Sequence, residues 1–339
     1  MRNTFVFLLL LSVFHFTASA QKQCIPYMDQ NGVECSLVWN SVTGASKLYF
    51  YNNNTGKFAE TPYQLPAKPT GDAGSYQFHP YLDKNGVECV LTYNTTTGTS
   101  KLYFYNAGQK KFTEAPYQLP AKPTGDAGVF EFHPYIDQNG VECILASNAT
   151  TGTSKLFFYN ANAGKFTEAP YQLPAKPTGD AGTYQFHPYI DKNGVECVLT
   201  SNAVTGTSKL YFYNEGQKKF TEAPYQLPAK PTGDAGVFEF HPYVDQNGVE
   251  CILASNATTG SSKLYFYNSG TSKFTPAPYQ LPAKPTGDAG SYQFHPYIDK
   301  NGVECVLTSN ATTGSSRLYF YKASESKFVE APYQLAIIN

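Results

Sequence analysis

FHPYIDQNGVECILASNATTGTSKLFFYNANAGKFTEAPYQLPAKPTGDAG, residues Phe132–Gly182, is one copy of a unit that fills the chain. The unit recurs six times without insertion: Cys35, Cys89, Cys143, Cys197, Cys251 and Cys305 stand 54 residues apart, as do Phe78, Phe132, Phe186, Phe240 and Phe294. A fixed period of this order marks a solenoid, a propeller or an array. In the second copy, Tyr76–Asp83 reads as a strand ending at Asn85-Gly86, a pair tolerant of positive φ and a strong hairpin signal. Val87–Tyr93, Lys101–Asn106 and Phe112–Gln118 follow as strands two to four, with turns at Thr97-Gly98 and Gly108–Lys111.

Proline orders these strands in space. It cannot donate to a ladder and is confined to edges or strand ends, so Pro80 and Pro116 put strands one and four at the edges of a meander. Strands two and three are apolar on both faces, as blades stacked on each side require. The fold expected is all-β: a six-bladed β-propeller of four-stranded antiparallel blades, one domain over 21–339. Its blades lie near 24–77, 78–131, 132–185, 186–239, 240–293 and 294–339. PAKPTGDAG recurs after units one to five, the number of linkers a closed ring of six needs.

A second period lies over the first. Gln77, Gln185 and Gln293 go with Lys84, Lys192 and Lys300 in even units; Glu131 and Glu239 go with Gln138 and Gln246 in units three and five. Growth by copying a two-unit block explains this, and any repeated site should then exist in two versions.

Residues 1–20 hold a single Arg2, an apolar run Phe5–Phe16 and the small-residue exit Ala18-Ser19-Ala20, the pattern of a secretory signal peptide. The expected location is secreted and extracellular, in an oxidising setting. No later stretch approaches the roughly 20 apolar residues that span a bilayer. Net charge is −1 with 15% charged residues and no basic stripe, which argues against nucleic acid or an anionic membrane as partner. Aromatic residues are the outlier, with 27 Tyr and 24 Phe against one Trp.

The run Asp83-Lys84-Asn85-Gly86, followed by VECVLTYN, KLYFYN and a closing KF, resembles the blade of FG-GAP or VCBS-type, integrin-like propellers. That family's loop binds Ca²⁺ through a run of carboxylates, so the resemblance implies a calcium site at Asp83, Asn85 and Glu88, with Asp137, Asn139 and Glu142 in the next unit. This sequence departs from the pattern where Val87 and Val141 follow the glycine. A hard cation takes 6 to 8 oxygens, and the other reading of Asp83 is a cap on its turn. If Asn85-Gly86 were a two-residue turn, Asp83 and Glu88 would face each other, which is unfavourable without a cation. The cofactor is therefore none, or weakly bound calcium.

His79, His133, His187, His241 and His295 share one position, filled in unit one by Ile25. With strand one innermost they line the axis, but on a six-fold ring the spacing of neighbours equals the radius. Ligands at about 2.1 Å from one metal would need too narrow a channel, and a structural role is expected. Strand-two cysteines at six-fold positions are too far apart for the roughly 4.4–6.8 Å Cα separation of a disulfide, so most should be free and buried. Cys24 is the odd one, placed opposite Trp39 by the two-residue turn, and would close the ring or link a second molecule. Sequons occur at Asn53, Asn94, Asn148, Asn256 and Asn310; Val204 breaks the one at Asn202.

No Ser/His/Asp order, zinc spacing, phosphate loop or unique acidic pair stands out, and the expectation is a protein that is not an enzyme. Near-identical units with aromatic, amide and carboxylate side chains suit a secreted multivalent lectin with glycan or glycoprotein partners. Its ligand-binding residues would be Tyr81, Asp83 and Asn85; Tyr135, Asp137 and Asn139; Tyr189, Asp191 and Asn193; Tyr243, Asp245 and Asn247; Tyr297, Asp299 and Asn301. The alternative is a structural or adhesive component of an extracellular matrix, coat or mucus, the tyrosines serving to pack blades.

Overall fold

The computed structural model describes residues 22–332 apart from 64, 66–73, 118, 121–127, 172, 174–181, 225–226, 229–234, 280 and 282–289. The leader-like residues 1–20, most of each linker and the last seven residues lie outside the described ones. Six separate four-stranded sheets, each in the order one-two-three-four and antiparallel throughout, form six blades. In the second blade the strands are Tyr76–Leu82, Glu88–Asn94, Ser100–Asn106 and Lys111–Glu114. The only helical segment described is the short 3₁₀ turn Ala323–Glu325.

Strand two is the buried centre of every blade. All seven residues of Glu88–Asn94 are buried, as are those of Glu142–Asn148, Glu196–Asn202, Glu250–Asn256 and Glu304–Asn310. Its two faces pack against different neighbours: Cys89 and Leu91 join Phe130, Phe132 and Ile144 of blade three, while Val90 joins Leu37, Trp39 and Leu48 of blade one. Burying a large apolar side chain contributes about 1.5–3 kcal/mol, and here that contribution comes only with both flanking blades in place.

The ring closes without exchange of a strand. Blade six packs Cys305, Leu307 and Leu318 against Cys24, Val38 and Tyr49 of blade one. Lys22 N donates to Ala311 O at 3.0 Å, the counterpart of Tyr76 N to Ser41 O, Phe130 N to Thr95 O, Tyr184 N to Ala149 O, Phe238 N to Ala203 O and Tyr292 N to Ala257 O, all at 2.7–2.8 Å. Each blade thus hangs its innermost strand on the two-three turn of the blade before it.

An asparagine at the end of strand two builds that turn. Asn94 Oδ1 accepts from Thr96 N and Thr97 N at 2.9 and 3.1 Å, and its counterparts in every other blade, Asn202 included, accept from the same two positions. The backbone of the blade's entry passes over this carboxamide so closely that a Cβ on Gly74 would sit 2.2 Å from Asn94 Oδ1, and Gly74 takes φ +133°.

A polar link ties neighbouring blades at the opposite end of strand two. Tyr27 Oη donates to Glu88 Oε1 at 2.5 Å, Tyr81 to Glu142 at 2.6 Å, Tyr135 to Glu196 and Tyr243 to Glu304 at 2.5 Å, and Tyr297 bonds Glu34 across the closure. Each acceptor carboxyl is 1–5% exposed, so its donor replaces lost water. Tyr135→Phe should cost about 1–3 kcal/mol at pH 8, the range for leaving a buried acceptor unmet. Urea unfolding would read this as a lower midpoint at unchanged slope; an unchanged midpoint would contradict the role.

Candidate functional site

The hairpin joining strands one and two is longer by one residue than the Asn-Gly pair implies. Gly86 N donates to Asp83 O and Asp83 N to Val87 O, both at 2.9 Å, with Gly86 at φ +76°. This is a type I turn followed by a left-handed glycine, a three-residue loop. The register shifts accordingly. Leu82 faces Glu88, which corrects the expected opposition of Asp83 and Glu88, and Cys24 faces Val38 and not Trp39.

Asp83 serves its own turn, its Oδ1 accepting from Asn85 N and Val87 N at 2.8 Å. Asp137, Asp191, Asp245 and Asp299 do the same for Asn139, Asn193, Asn247 and Asn301. Glu88 and Glu142 point instead to the tyrosines of the preceding blade. The donor set of a calcium loop is therefore split between two tasks, and the residues present do not fit that ion. Among the described residues no group of three acidic, His or Cys side chains could hold a metal.

Tyr81 and its equivalents are donors at the interface between blades, half-buried except for the buried Tyr27. Above them lies a pair of aromatic rings that sequence reasoning missed. Tyr117, just past strand four of blade two, meets Tyr159 of blade three at 4.9 Å between ring centres. Tyr63–Tyr105, Tyr171–Tyr213 and Tyr279–Tyr321 repeat it at 4.7, 4.8 and 4.5 Å. Tyr225 and Tyr333, which would complete the set, lie outside the described residues. Tyr279 Oη also reaches Glu304 Oε2 at 3.5 Å. The interface of blades two and three so gathers Tyr81, Asp83 and Tyr117 from one blade with Glu142 and Tyr159 from the next. The signal was available only across unit boundaries, as the recurring separations from Tyr81 to Glu142 and from Tyr117 to Tyr159.

Burial controls the charge of these groups. It pushes the Glu88, Glu196 and Glu304 carboxyls up to about 7, opposed by the tyrosine hydrogen bonds and aided by Asp29, Asp137 and Asp245. Glu34, Glu142 and Glu250 are also raised by burial, but there Lys300, Lys84 and Lys192 pull the other way.

The axial channel is a concavity of about 280 Å³, lined by the five histidines, Ile25 and the six prolines that follow them. Neighbouring imidazole centres stand 5.5–6.1 Å apart, so ring centres lie about as far from the axis, beyond the roughly 2.1 Å of metal ligation. His79 stacks on Tyr93 and lies 3.3 Å from its hydroxyl; His133 and His241 lie 3.6 and 3.7 Å from Glu131 and Glu239. Burial and neighbouring imidazoles lower His79 and His295 to about 3 and His187 well below its ordinary value.

All seven cysteines are free and buried. Cys24 Sγ lies 3.0 Å from Ser36 Oγ, and burial raises its thiol to about 11. The sequons need correction. Asn94, Asn148, Asn256 and Asn310 are 0% exposed and committed to their turns, leaving no room for a glycan, whereas Asn53 is exposed.

No protein-family model and no curated protein matches the chain, and of the FG-GAP/VCBS resemblance the propeller fold alone is shown. Solved structures do match. A protein named as a 6-phosphogluconolactonase from Bacteroides uniformis is 14% identical, with 93% of this chain and 84% of that one covered at a TM-score of 0.59. The periplasmic gluconolactonase PpgL of Pseudomonas aeruginosa is 12% identical, with 95% and 99% covered at 0.53. AofleA from Arthrobotrys oligospora is 11% identical, with 92% and 86% covered at 0.56. At such identities these likenesses show the fold alone. They nevertheless overturn the expectation that the chain is not an enzyme: proteins named as lactonases share this ring, so the missing triad and phosphate loop do not exclude catalysis on it.

The carboxyls and imidazoles oppose each other in acid. Glu88, Glu196 and Glu304 hold protons more tightly folded than unfolded, so they add stability as pH falls from about 7 to 4.5. His79 and His295 stay neutral when folded; their contribution is complete above 6.5 and is lost as pH falls toward 3. Thermal midpoints should therefore vary little between pH 6.5 and 4.5 and drop steeply below. The His79→Gln, His295→Gln double variant should keep more of its midpoint in acid; an acid limb matching the parent protein's would contradict the assignment.

Proposed function

We propose that the protein is a multivalent carbohydrate-binding propeller, exported by its leader and acting outside the cell, with its binding sites in the clefts between blades. The observation that carries this reading is the recurrent tyrosine pair standing over a buried carboxyl. An aromatic face takes the apolar side of a pyranose ring while its hydroxyl serves the polar edge, and a carboxylate is a strong acceptor for sugar hydroxyls. Tyr81, Asp83, Asn85 and their equivalents would supply the polar contacts of these sites, and Tyr117, Tyr159 and their equivalents the aromatic ones.

Exposed, half-polar sites bind weakly. Single-site affinity near 1 mM corresponds to about −4 kcal/mol, and several linked sites raise apparent affinity by about 10²–10⁴ on a surface that presents many copies of the sugar. Near-identity of the units supports the reading, since avidity needs every copy to keep the same pocket.

A glycan array probed with the purified full chain tests it. Saturable binding to a chemically related set of sugars is expected, unchanged between calcium and chelator because Asp83 serves its own turn. A blank array in both conditions would overturn the reading.

A further inference from the structure

The tyrosine pairs carry a chemistry of their own. In each, one ring lies just past strand four of a blade and the other near the end of strand three of the next: Tyr63–Tyr105, Tyr117–Tyr159, Tyr171–Tyr213 and Tyr279–Tyr321. Their centres are 4.5–4.9 Å apart and their planes are inclined by 37–48°. Two benzene rings joined by a carbon–carbon bond have centres about 4.3 Å apart, the sum of two ring radii and the bond. A shift shorter than one bond therefore brings each pair to that separation. The strand-three ring is fixed by a buried phenylalanine of strand four: Tyr105 meets Phe112 at 5.4 Å and Tyr159 meets Phe166 at 5.5 Å. Burial raises the phenols of Tyr105, Tyr117, Tyr171 and Tyr279 above their ordinary range, and the hydroxyl of the paired ring adds to the rise in each, which places the two oxygens near one another. All these rings are half-buried and keep some contact with solvent, whereas Trp39 and the seven cysteines, which also oxidise readily, are buried.

We propose that these four pairs are modification sites, at which hydrogen peroxide consumed by a haem peroxidase joins the two rings of a pair as dityrosine and staples one blade to the next. Each phenol loses one electron and its hydroxyl proton; the peroxide takes both electrons and both protons and leaves as two waters. The resulting phenoxyl radicals carry spin at the carbons ortho to oxygen, and one carbon–carbon bond forms there between the rings. The hydrogen on each coupled carbon then passes through water to that ring's oxygen and restores the phenol. The chain has lost two hydrogens for each link. Coupling within a pair outruns coupling between chains because the partner ring is already in contact, the advantage of a high effective concentration. The thiols do not compete, since thiolate is the form that peroxide attacks and burial keeps them protonated, Cys24 being raised to about 11. The cross-link goes beyond the carbohydrate reading and does not depend on it.

The test is oxidation of the purified full chain at low concentration with a haem peroxidase and hydrogen peroxide, followed by peptide mapping. Links Tyr63–Tyr105, Tyr117–Tyr159, Tyr171–Tyr213 and Tyr279–Tyr321 are expected within single chains, each two hydrogens lighter than its separate peptides. Dityrosine fluorescence and a higher thermal midpoint should accompany them, because a covalent bridge restricts the unfolded chain. Tyr159→Phe keeps the ring and removes one phenol, so it should delete the Tyr117–Tyr159 link and leave the other three. Tyr105→Phe, Tyr159→Phe, Tyr213→Phe and Tyr321→Phe together should delete all four. Treated parent protein without dityrosine, links scattered among other tyrosines or between chains in place of these pairs, or a midpoint unmoved by the links would overturn the inference.

Discussion

Strand two is buried on both faces in every blade, and two apolar faces can be covered only by two neighbours. Val90 turns toward blade one while Cys89 and Leu91 turn toward blade three, so a blade at the end of an open array would leave one face in water. Six such blades satisfy the demand by closing on themselves: Lys22 and Glu34 receive blade six with the contacts found at internal interfaces, Val38 packs against it, and Gln293 Nε2 donates to Gln23 Oε1 besides. The backbone bridge from strand one to the preceding turn sets where each blade hangs. The asparagine carboxamide inside that turn keeps the accepting carbonyl in place. Since these are local devices repeated at a fixed spacing, no insertion could be accepted in one unit without breaking the match with the next.

The same stacking makes the surface proposed to bind sugars. A carboxyl at the start of strand two is drawn into the interface by its neighbours' burial and finds a tyrosine of the preceding blade as donor. Raised toward neutrality by that burial, it lies under a pair of tyrosines contributed by both blades. In the proposed function, stability and binding would therefore share residues. Tyr81 is at once a strut and a floor, and its phenol cannot be removed to test one role without disturbing the other. The turn residues above, Lys84 or Gln138, are freer to vary, and there the two-blade period appears.

Much of this architecture was legible in the chain. Period, proline placement and the two-faced apolar strands specify the six-bladed ring, and the free buried cysteines follow from the geometry of a six-fold circle. What escaped is relational. Asn85-Gly86 gives a three-residue loop, a choice made by Asp83 bonding two backbone N–H groups, and that one residue of register moves Glu88 away from Asp83. Glu88 then answers Tyr27 in another unit, a partnership that no pattern within one unit contains. The sequons misled for a physical reason: an Asn before a small residue and a Thr is also what an Asx turn at a strand end requires, and Asn202 makes the same bonds without the hydroxyl residue. Missing motifs were too thin a ground for excluding catalysis, because proteins named as lactonases share this fold.

The account places the ligand between blades and not on the axis, although the histidine-lined channel is also a concavity at a repeated position. The most direct measurement is a crystal structure of the protein soaked with a saccharide that it binds. Density for the sugar against Tyr117 and Tyr159, or their equivalents, above the buried glutamate is the result the account predicts. Density on the axis among the imidazoles, with the inter-blade clefts empty, would contradict it.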